Sequence, residues 1–194
     1  MKRQSEQIRH MTDREVLFHL YLTQALLLAA AGIASLLLFD GAEWRRLWRF
    51  AADDVLIYGA GGAAAVLAVE FWAMRCLPND WYDDGGVNEK IFRRRSVPHI
   101  VFLCALIALA EEWLFRGVVQ THWGLWAASA IFALLHVRYL EKWFLFLLVV
   151  LLSLFLGVLY EQTGSLWVTV TAHFLIDVVL ALEICLHRGM EERE

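Results

Sequence analysis

The sequence predicts an all-α, polytopic membrane protein with about six transmembrane helices. Hydrophobic residues make up 60% of the 194 residues, and the mean hydropathy is +0.54. Soluble domains contain only about 45–50% apolar residues. The apolar residues also fall in runs of roughly 20, the length that a helix needs to cross a bilayer. The net charge of −4 lies mainly in loops and chain ends, so it gives no indication of a nucleic-acid partner.

The first predicted span, Val16–Phe39, follows a polar segment at residues 1–15. This apolar run is too long for a signal-peptide core, and no small-residue cleavage site follows it. We therefore expect an uncleaved membrane anchor. Two polar residues fall within it, His19 and Gln24, and we expect them to be satisfied near the interface or against a neighbouring helix.

The second predicted span, Val55–Leu77, contains a run of small residues, GAGGAAA, at Gly59–Ala65. Small residues let another helix approach closely, and this run does not resemble a nucleotide-binding loop because no strand precedes it. Glu70 lies late in the span, where we expect it to reach the membrane surface. Residues 16–97 therefore form two helices and a connecting loop.

The remaining chain, residues 98–187, is predicted to form a four-helix core, followed by a cytoplasmic tail at 188–194. The third span of the whole chain ends at a predicted tight turn, Thr121–Gly124. The fifth span is almost purely aliphatic, and this composition predicts that it is the span most exposed to lipid. The four expected spans are Pro98–Gln120, Leu125–Tyr139, Trp143–Tyr160 and Leu166–Leu186.

Basic residues are distributed unequally between the two sides that six spans would define. Lys and Arg accumulate on the cytoplasmic side of membrane proteins. One side of this chain has only Arg45, Arg46 and Arg49. The other has thirteen: Lys2, Arg3, Arg9, Arg14, Arg75, Lys90, Arg93, Arg94, Arg95, Arg138, Lys142, Arg188 and Arg193. We expect both termini in the cytoplasm and the protein in the plasma membrane.

Ionisable residues lie deep in three of the predicted spans. They are Glu111, Glu112 and Arg116 in the third, His136 in the fourth, and His173 and Asp177 in the sixth. Such residues are costly in a membrane and indicate a functional site. Glu112 and Arg116 are four residues apart, which suits an ion pair on one helix face. Glu111 points about 100° away from Glu112 and has no such local partner.

These residue types suit the activation of water, by either of two mechanisms. Glu111 can act as a general base. Alternatively, Glu111, His136 and His173 form a His₂Glu set for a divalent metal such as zinc. Each residue also has a structural interpretation, since a membrane histidine can bond helices together and Asp177 can orient His173. No serine or cysteine lies in a setting typical of a nucleophile, and the HExxH motif is absent from the sequence.

Three motifs of the chain resemble those of the CPBP family, which includes CAAX proteases, bacteriocin-processing enzymes and abortive-infection-type membrane proteins. EEWLFR at Glu111–Arg116 is similar to the family's EExxxR motif. FALLH at Phe132–His136 is similar to FxxxH, and HFLID at His173–Asp177 is similar to HxxxN or HxxxD. All three occur in order within residues 98–187.

The resemblance implies a glutamate-dependent intramembrane endopeptidase of the Ras-converting CAAX endoprotease type. It implies that Glu111 and His136 activate water and that His173 and Asp177 stabilise the oxyanion. Three residues, Glu112, Arg116 and Phe132, would then support the site.

The chain departs from its CAAX-cleaving relatives in two respects. They have asparagine at the position of Asp177, and an ionised aspartate cannot donate a hydrogen bond to an oxyanion. Asp177 must therefore be protonated, orient His173 or help to bind a metal. The relatives also have about eight spans, but the missing helices lie outside the motifs.

We therefore expect hydrolysis of a peptide bond in a membrane-associated peptide or protein, with the lipid bilayer as the surrounding partner. The rival hypothesis is a non-catalytic scaffold or immunity protein that binds a partner through the same cavity. A transporter is a weaker hypothesis because the polar residues form one cluster rather than a route across the membrane.

Overall fold

The computed structural model describes residues 10–136, 139–140 and 142–191, and every regular element within them is helical. The fold is all-α, as predicted. Most of the charges counted in the N-terminal segment and in the tail lie outside the described residues. Eight helices are labelled in chain order: α1 Asp13–Leu38, α2 Gly41–Leu47, α3 Ala52–Cys76, α4 Val87–Phe92, α5 Val97–Glu112 with its π-helical continuation Trp113–Gln120, α6 Thr121–Leu135, α7 Trp143–Thr163 and α8 Leu166–Glu191.

Five helical segments are long and apolar enough to cross a membrane. This agrees with the predicted polytopic all-α fold, although two of the six predicted spans are not separate helices. The third and fourth predicted spans form one helical segment, Val97–Leu135, which changes direction at Gly124. The part of α6 after Gly124 ends at Leu135 and extends only about 16 Å, roughly half the thickness of the hydrocarbon core. It is too short to span a bilayer alone.

The chain reverses at Gly124, as the predicted turn at Thr121–Gly124 implies. Gly124 has φ 83° and ψ 171°, a backbone conformation that is open almost exclusively to glycine. The rings of Phe115 and Phe132 lie 4.9 Å apart between centroids. In a straight helix these residues would be about 25 Å apart. The last part of α6 is thus folded back along α5.

Helix α1 begins three residues before the predicted span because Thr12 and Glu15 form a capping box. Its buried residues, Val16, Gln24, Ala31 and Ser35, share one face. That face packs against α5, where Trp113 Nε1 donates to Ser35 Oγ at 3.0 Å. Near the other end of α1, the Tyr21 hydroxyl and His99 Nε2 lie 2.8 Å apart.

The small-residue run on α3 packs closely against other helices, which confirms its predicted role. A Cβ atom at Gly59 would lie 3.1 Å from the Val168 carbonyl oxygen of α8. At Gly62 it would lie 3.0 Å from the Phe155 ring of α7. Ala63 belongs to the same apolar core as Leu156, Val168, Ala172 and Ile176. α3 therefore packs closely against the helix that carries His173 and Asp177.

Helix α7 is not the span most exposed to lipid, contrary to the prediction. In its most apolar stretch 28% of residues are buried, against 11% in α3 and 17% in α1. The reason is that α7 packs against both α6 and α8. An aliphatic composition alone cannot distinguish contact with lipid from contact with other helices.

Candidate active site

Glu112 lies at the centre of the polar cluster and connects two helices. Its side chain is 0% exposed, at the end of α5 where the π-helical segment begins. Its Oε1 atom accepts a hydrogen bond from His173 Nδ1 at 2.9 Å. Its Oε2 atom lies 3.3 Å from Arg116 Nε, which confirms the predicted ion pair. One oxygen of Glu112 thus accepts a hydrogen bond, and the other is paired with the Arg116 charge without a hydrogen bond among the described residues.

Arg116 extends this network to two further helices. Its guanidinium group is 1% exposed and donates to the Ser153 carbonyl oxygen at 2.9 Å and to Ser153 Oγ at 3.2 Å. It also lies 5.1 Å from the ring centroid of Phe132, at cation–π distance. One buried charge pair thus joins α5 to α6, α7 and α8. Breaking one partner of such a pair is costly because it leaves a buried charge uncompensated.

His173 lies between two carboxylates. Its Nδ1–H donates to Glu112, and its Nε2 atom lies 3.5 Å from Asp177 Oδ2 one turn further along α8. The His173 side chain is buried, whereas 26% of the Asp177 side chain is exposed. The contact with Glu112 fixes the plane of the imidazole ring and directs Nε2 towards Asp177.

His136 is held at the end of α6 by its own helix and by two aromatic rings. Its Nδ1 atom is 2.8 Å from the Phe132 carbonyl oxygen, and a carbonyl can only accept, so Nδ1 carries the proton. In the neutral ring this places the lone pair on Nε2. The imidazole stacks on Phe132 at 4.4 Å and on Tyr139 at 6.3 Å between centroids. The FxxxH spacing thus supplies both a hydrogen-bond acceptor and a stacking surface.

Glu111 lies near His173, but its environment differs from that of Glu112. Its side chain is half-buried and lies close to His173 and to Gln24 of α1. Asp177 lies within electrostatic interaction distance of Glu111, Glu112 and His136. Asp177 of α8 is therefore near each of the other three residues predicted to be catalytic, which come from α5, α6 and α8.

The geometry does not support the metal-binding alternative. Among the described residues, no three His, Cys, Asp or Glu side chains are grouped as metal ligands would be. Both ring nitrogens of His173 face carboxylates, so coordination would require one of these contacts to break. The set Glu111, His136 and His173 therefore does not fit a divalent metal such as zinc.

Three residues near the site were not predicted from the sequence to lie there. Ser153 holds Arg116 from α7. Glu70 of α3, expected to reach the surface, instead interacts with Asp177, and its Oε2 atom is buried without a hydrogen-bond partner. Gln24 of α1 is 2% exposed and lies beside Glu111. The only sequence signal for each was one polar residue in an apolar span, which does not reveal its partner.

Comparison with known proteins gives two matches. A family model described as type II CAAX prenyl endopeptidase Rce1-like matches residues 93–179, the region that carries all three motifs. The uncharacterized protein YpbD of Bacillus subtilis (strain 168) is 51% identical over 164 residues, which make up 84% of this chain and 87% of that protein. No solved structure matches the chain.

Proposed function

The chain belongs to the Rce1-like family of type II CAAX prenyl endopeptidases, and we propose that it is an intramembrane endopeptidase whose general base is Glu111. Membership of a family of CAAX-type intramembrane proteases supports peptide-bond hydrolysis as the reaction. The site geometry supports the division of roles between the two adjacent glutamates.

The contrast between Glu111 and Glu112 is the observation that carries this proposal. Glu112 uses both oxygens to hold His173 and Arg116. Glu111 is half-buried and faces the region shared with His173 and Asp177. A general base needs an oxygen within reach of the water it deprotonates, and the Glu112 carboxylate, which is 0% exposed and paired with Arg116, does not offer one. Glu111 keeps part of its surface exposed and is therefore the glutamate that can reach this water.

The first step is the attack of water on the scissile carbonyl carbon. Glu111 accepts one proton of the water, and the Nε2 lone pair of His136 accepts a hydrogen bond from the other O–H group. The water oxygen forms a bond to the carbonyl carbon, and the carbonyl π electrons move to its oxygen. When this tetrahedral intermediate collapses, the C–N bond breaks and protonated Glu111 returns its proton to the leaving amine. Atoms and charge balance without a cofactor.

His173 and Asp177 stabilise the tetrahedral oxyanion in this mechanism. His173 donates from Nδ1 to Glu112, so it has an Nε2–H group only as the imidazolium, a form that the two flanking carboxylates favour. The oxyanion would then take the Nε2–H hydrogen bond in place of the 3.5 Å contact with Asp177. The 3.5 Å contact between Asp177 and His173 Nε2 supports an orienting role for the aspartate. This accounts for a residue at position 177 that, when ionised, has no hydrogen to donate itself.

The substrate class follows from the location of the site between membrane helices. We propose a membrane-associated peptide or protein that reaches the site from the bilayer, in the plasma membrane, with both chain termini in the cytoplasm. A prenylated CAAX peptide follows from the family alone, whereas the site's own residues require only a peptide bond. Peptide processing or regulated proteolysis is the role that we favour for so compact a chain.

The proposal is tested with purified protein in detergent and a panel of quenched fluorescent peptides, half of them farnesylated. Wild type should cleave at least one peptide, and mass spectrometry of the products identifies the bond. Cleavage of farnesylated peptides alone would assign a prenylated substrate. If wild type cleaves none, and if the Glu111→Gln variant still restores the phenotype of cells that lack the protein, the scaffold or immunity hypothesis replaces the protease hypothesis.

A further inference from the structure

His136 is the residue at which α6 ends, so no further helical turn holds it in place. Its φ of −92° and ψ of 30° lie outside the helical range. The chain continues through two hydrogen-bonded turns instead. The Tyr139 N–H donates to the His136 carbonyl oxygen at 3.0 Å, and the Lys142 N–H donates to the Tyr139 carbonyl oxygen at 2.8 Å. These three residues are therefore linked by the backbone.

Tyr139 turns its ring towards His136 rather than towards lipid. It is 8% exposed, whereas the apolar residues Leu135 and Leu140 nearby are 60% and 43% exposed. The centroids of the Tyr139 and His136 rings lie 6.3 Å apart, with 11° between the ring planes. Stacked rings at such distances attract each other. The buried tyrosine is thus placed to hold the imidazole.

The loop between α3 and α4 holds the other end of this segment. Asp83 Oδ2 lies 2.9 Å from Lys142 Nζ. The ring of Trp81 lies 4.9 Å from that of Trp143 and 5.3 Å from that of Phe144, at the start of α7. Because the two charged side chains are 38% and 50% exposed, the ion pair alone is weak, and the ring contacts carry most of the attachment.

We infer that Tyr139 is a positioning residue for His136, and that the loop between α3 and α4 holds the backbone of both through Lys142. The inference rests on the proposed function, since it assigns Tyr139 a part in the action of His136 on water. A small misplacement of a group that acts on the reacting atoms lowers the rate. The loop precedes residues 93–179, so the three motifs alone would not reveal this support.

The first test compares Tyr139→Leu, which removes the ring, with Tyr139→Phe, which keeps it. Because a stacked pair corresponds to a rate change of about twofold to tenfold, we expect Tyr139→Leu to lower kcat about fivefold. KM should not change, since the ring acts on His136 and not on the substrate. Tyr139→Phe should keep at least half of the wild-type kcat. Equal losses in both variants, or no loss in Tyr139→Leu, would overturn the inference.

The role of the loop is tested by a double-mutant cycle on kcat with Asp83→Asn and Lys142→Met. Asparagine keeps the side-chain oxygen that accepts the Gly85 N–H at 2.8 Å and removes only the charge. Lys142→Met should lower kcat about twofold, and the double variant should lose no more. Asp80→Asn, at an exposed carboxylate of the same loop, is the control and should retain the wild-type kcat. Losses that multiply in the double variant, or no loss in any variant, would overturn the role of the loop.

A third measurement does not depend on activity. Diethyl pyrocarbonate modifies neutral imidazole nitrogens, and mass spectrometry of the peptides gives the rate at each histidine. His122 is the internal control, because its Nδ1 bonds the Val118 carbonyl oxygen as His136 Nδ1 bonds that of Phe132. Tyr139→Leu should be modified about threefold faster at His136 and at the wild-type rate at His122.

An unchanged rate at His136 in Tyr139→Leu would refute the positioning role even if the protein cleaves peptides. A faster rate in a protein that cleaves none would support the contact and refute only the protease.

Discussion

His173 Nδ1 and Glu112 Oε1 lie 2.9 Å apart and join α8 to α5 inside the membrane region. Through this contact, the first and last motifs of the chain form one unit although 61 residues separate them. The second oxygen of Glu112 is paired with Arg116, so the same carboxylate fixes both a histidine and an arginine. This arrangement supports different roles for the two consecutive glutamates.

Replacement of Glu112 by glutamine should destabilise the protein strongly. The change leaves Arg116 charged and buried without its carboxylate, and the cost of breaking such a pair is about 3–5 kcal/mol. The free energy of unfolding, measured by denaturant titration in mixed micelles, checks this. Glu111→Gln is the matched control and should cost much less, because Glu111 forms no ion pair with Arg116. Equal losses for the two variants would contradict the assigned roles.

The double change Glu112→Gln with Arg116→Met should recover part of that stability. It removes both charges, so no buried charge is left uncompensated, and the amide oxygen at position 112 can still accept a hydrogen bond from His173. The interaction free energy is obtained from a double-mutant cycle with the two single variants. If the double variant is as unstable as the sum of both single variants, the two side chains are not coupled as the structure shows.

Gly59→Leu should disturb the contact between α3 and α8. Its Cβ atom would already lie 3.1 Å from the Val168 carbonyl oxygen, and a larger side chain must push the helices apart at a cost of about 1–3 kcal/mol. The control is Gly61→Leu, where the nearest atom to a Cβ lies 3.9 Å away. Unfolding midpoints of the two variants should differ, with Gly59→Leu lower. Similar midpoints would indicate that α3 does not pack against α8 in this way.

Gly124→Ala should destabilise the reversal between α5 and α6. A side chain at φ 83° and ψ 171° is strained by about 1–3 kcal/mol. The reversal brings Phe132 against Phe115 and places His136 near Asp177, so activity should fall together with stability. Gly61→Ala, within a regular helix, is the control. Wild-type stability and activity of Gly124→Ala would show that the turn is not constrained in this way.

The sequence predicted features that depend on local spacing better than those that depend on packing. The Glu112–Arg116 pair and the turn before Leu125 follow from residues close in the chain, and both are confirmed. The contact of Glu112 with His173 is between helices and has no signature in spacing. For the same reason, the sequence indicated that Gln24 needs a partner on another helix, but it could not indicate that Gln24 lies near Glu111.

The short length of α6 after Gly124 could not be predicted, for a different reason. Hydropathy runs continuously from Leu125 to Tyr139, so the apolar pattern indicates a span. The structure ends α6 at Leu135 because His136 leaves the helix to bond the Phe132 carbonyl oxygen and to stack on its ring. The histidine that we propose for the site thus stands at the end of this helix. The roles of Glu111, His136, His173 and Asp177 remain predictions that kinetics must test.

The most direct test of the central claim is the kcat of Glu111→Gln on the best peptide of the panel, measured beside Asp177→Asn in protein whose folding is verified by thermal unfolding. A general base contributes about 10²–10⁴-fold, so Glu111→Gln should lose at least a hundredfold. Asp177→Asn keeps a polar group beside His173 Nε2 and should stay within about tenfold of wild type, since one neutral hydrogen bond contributes only about 1 kcal/mol. A folded Glu111→Gln variant that cleaves at the wild-type rate would contradict the account.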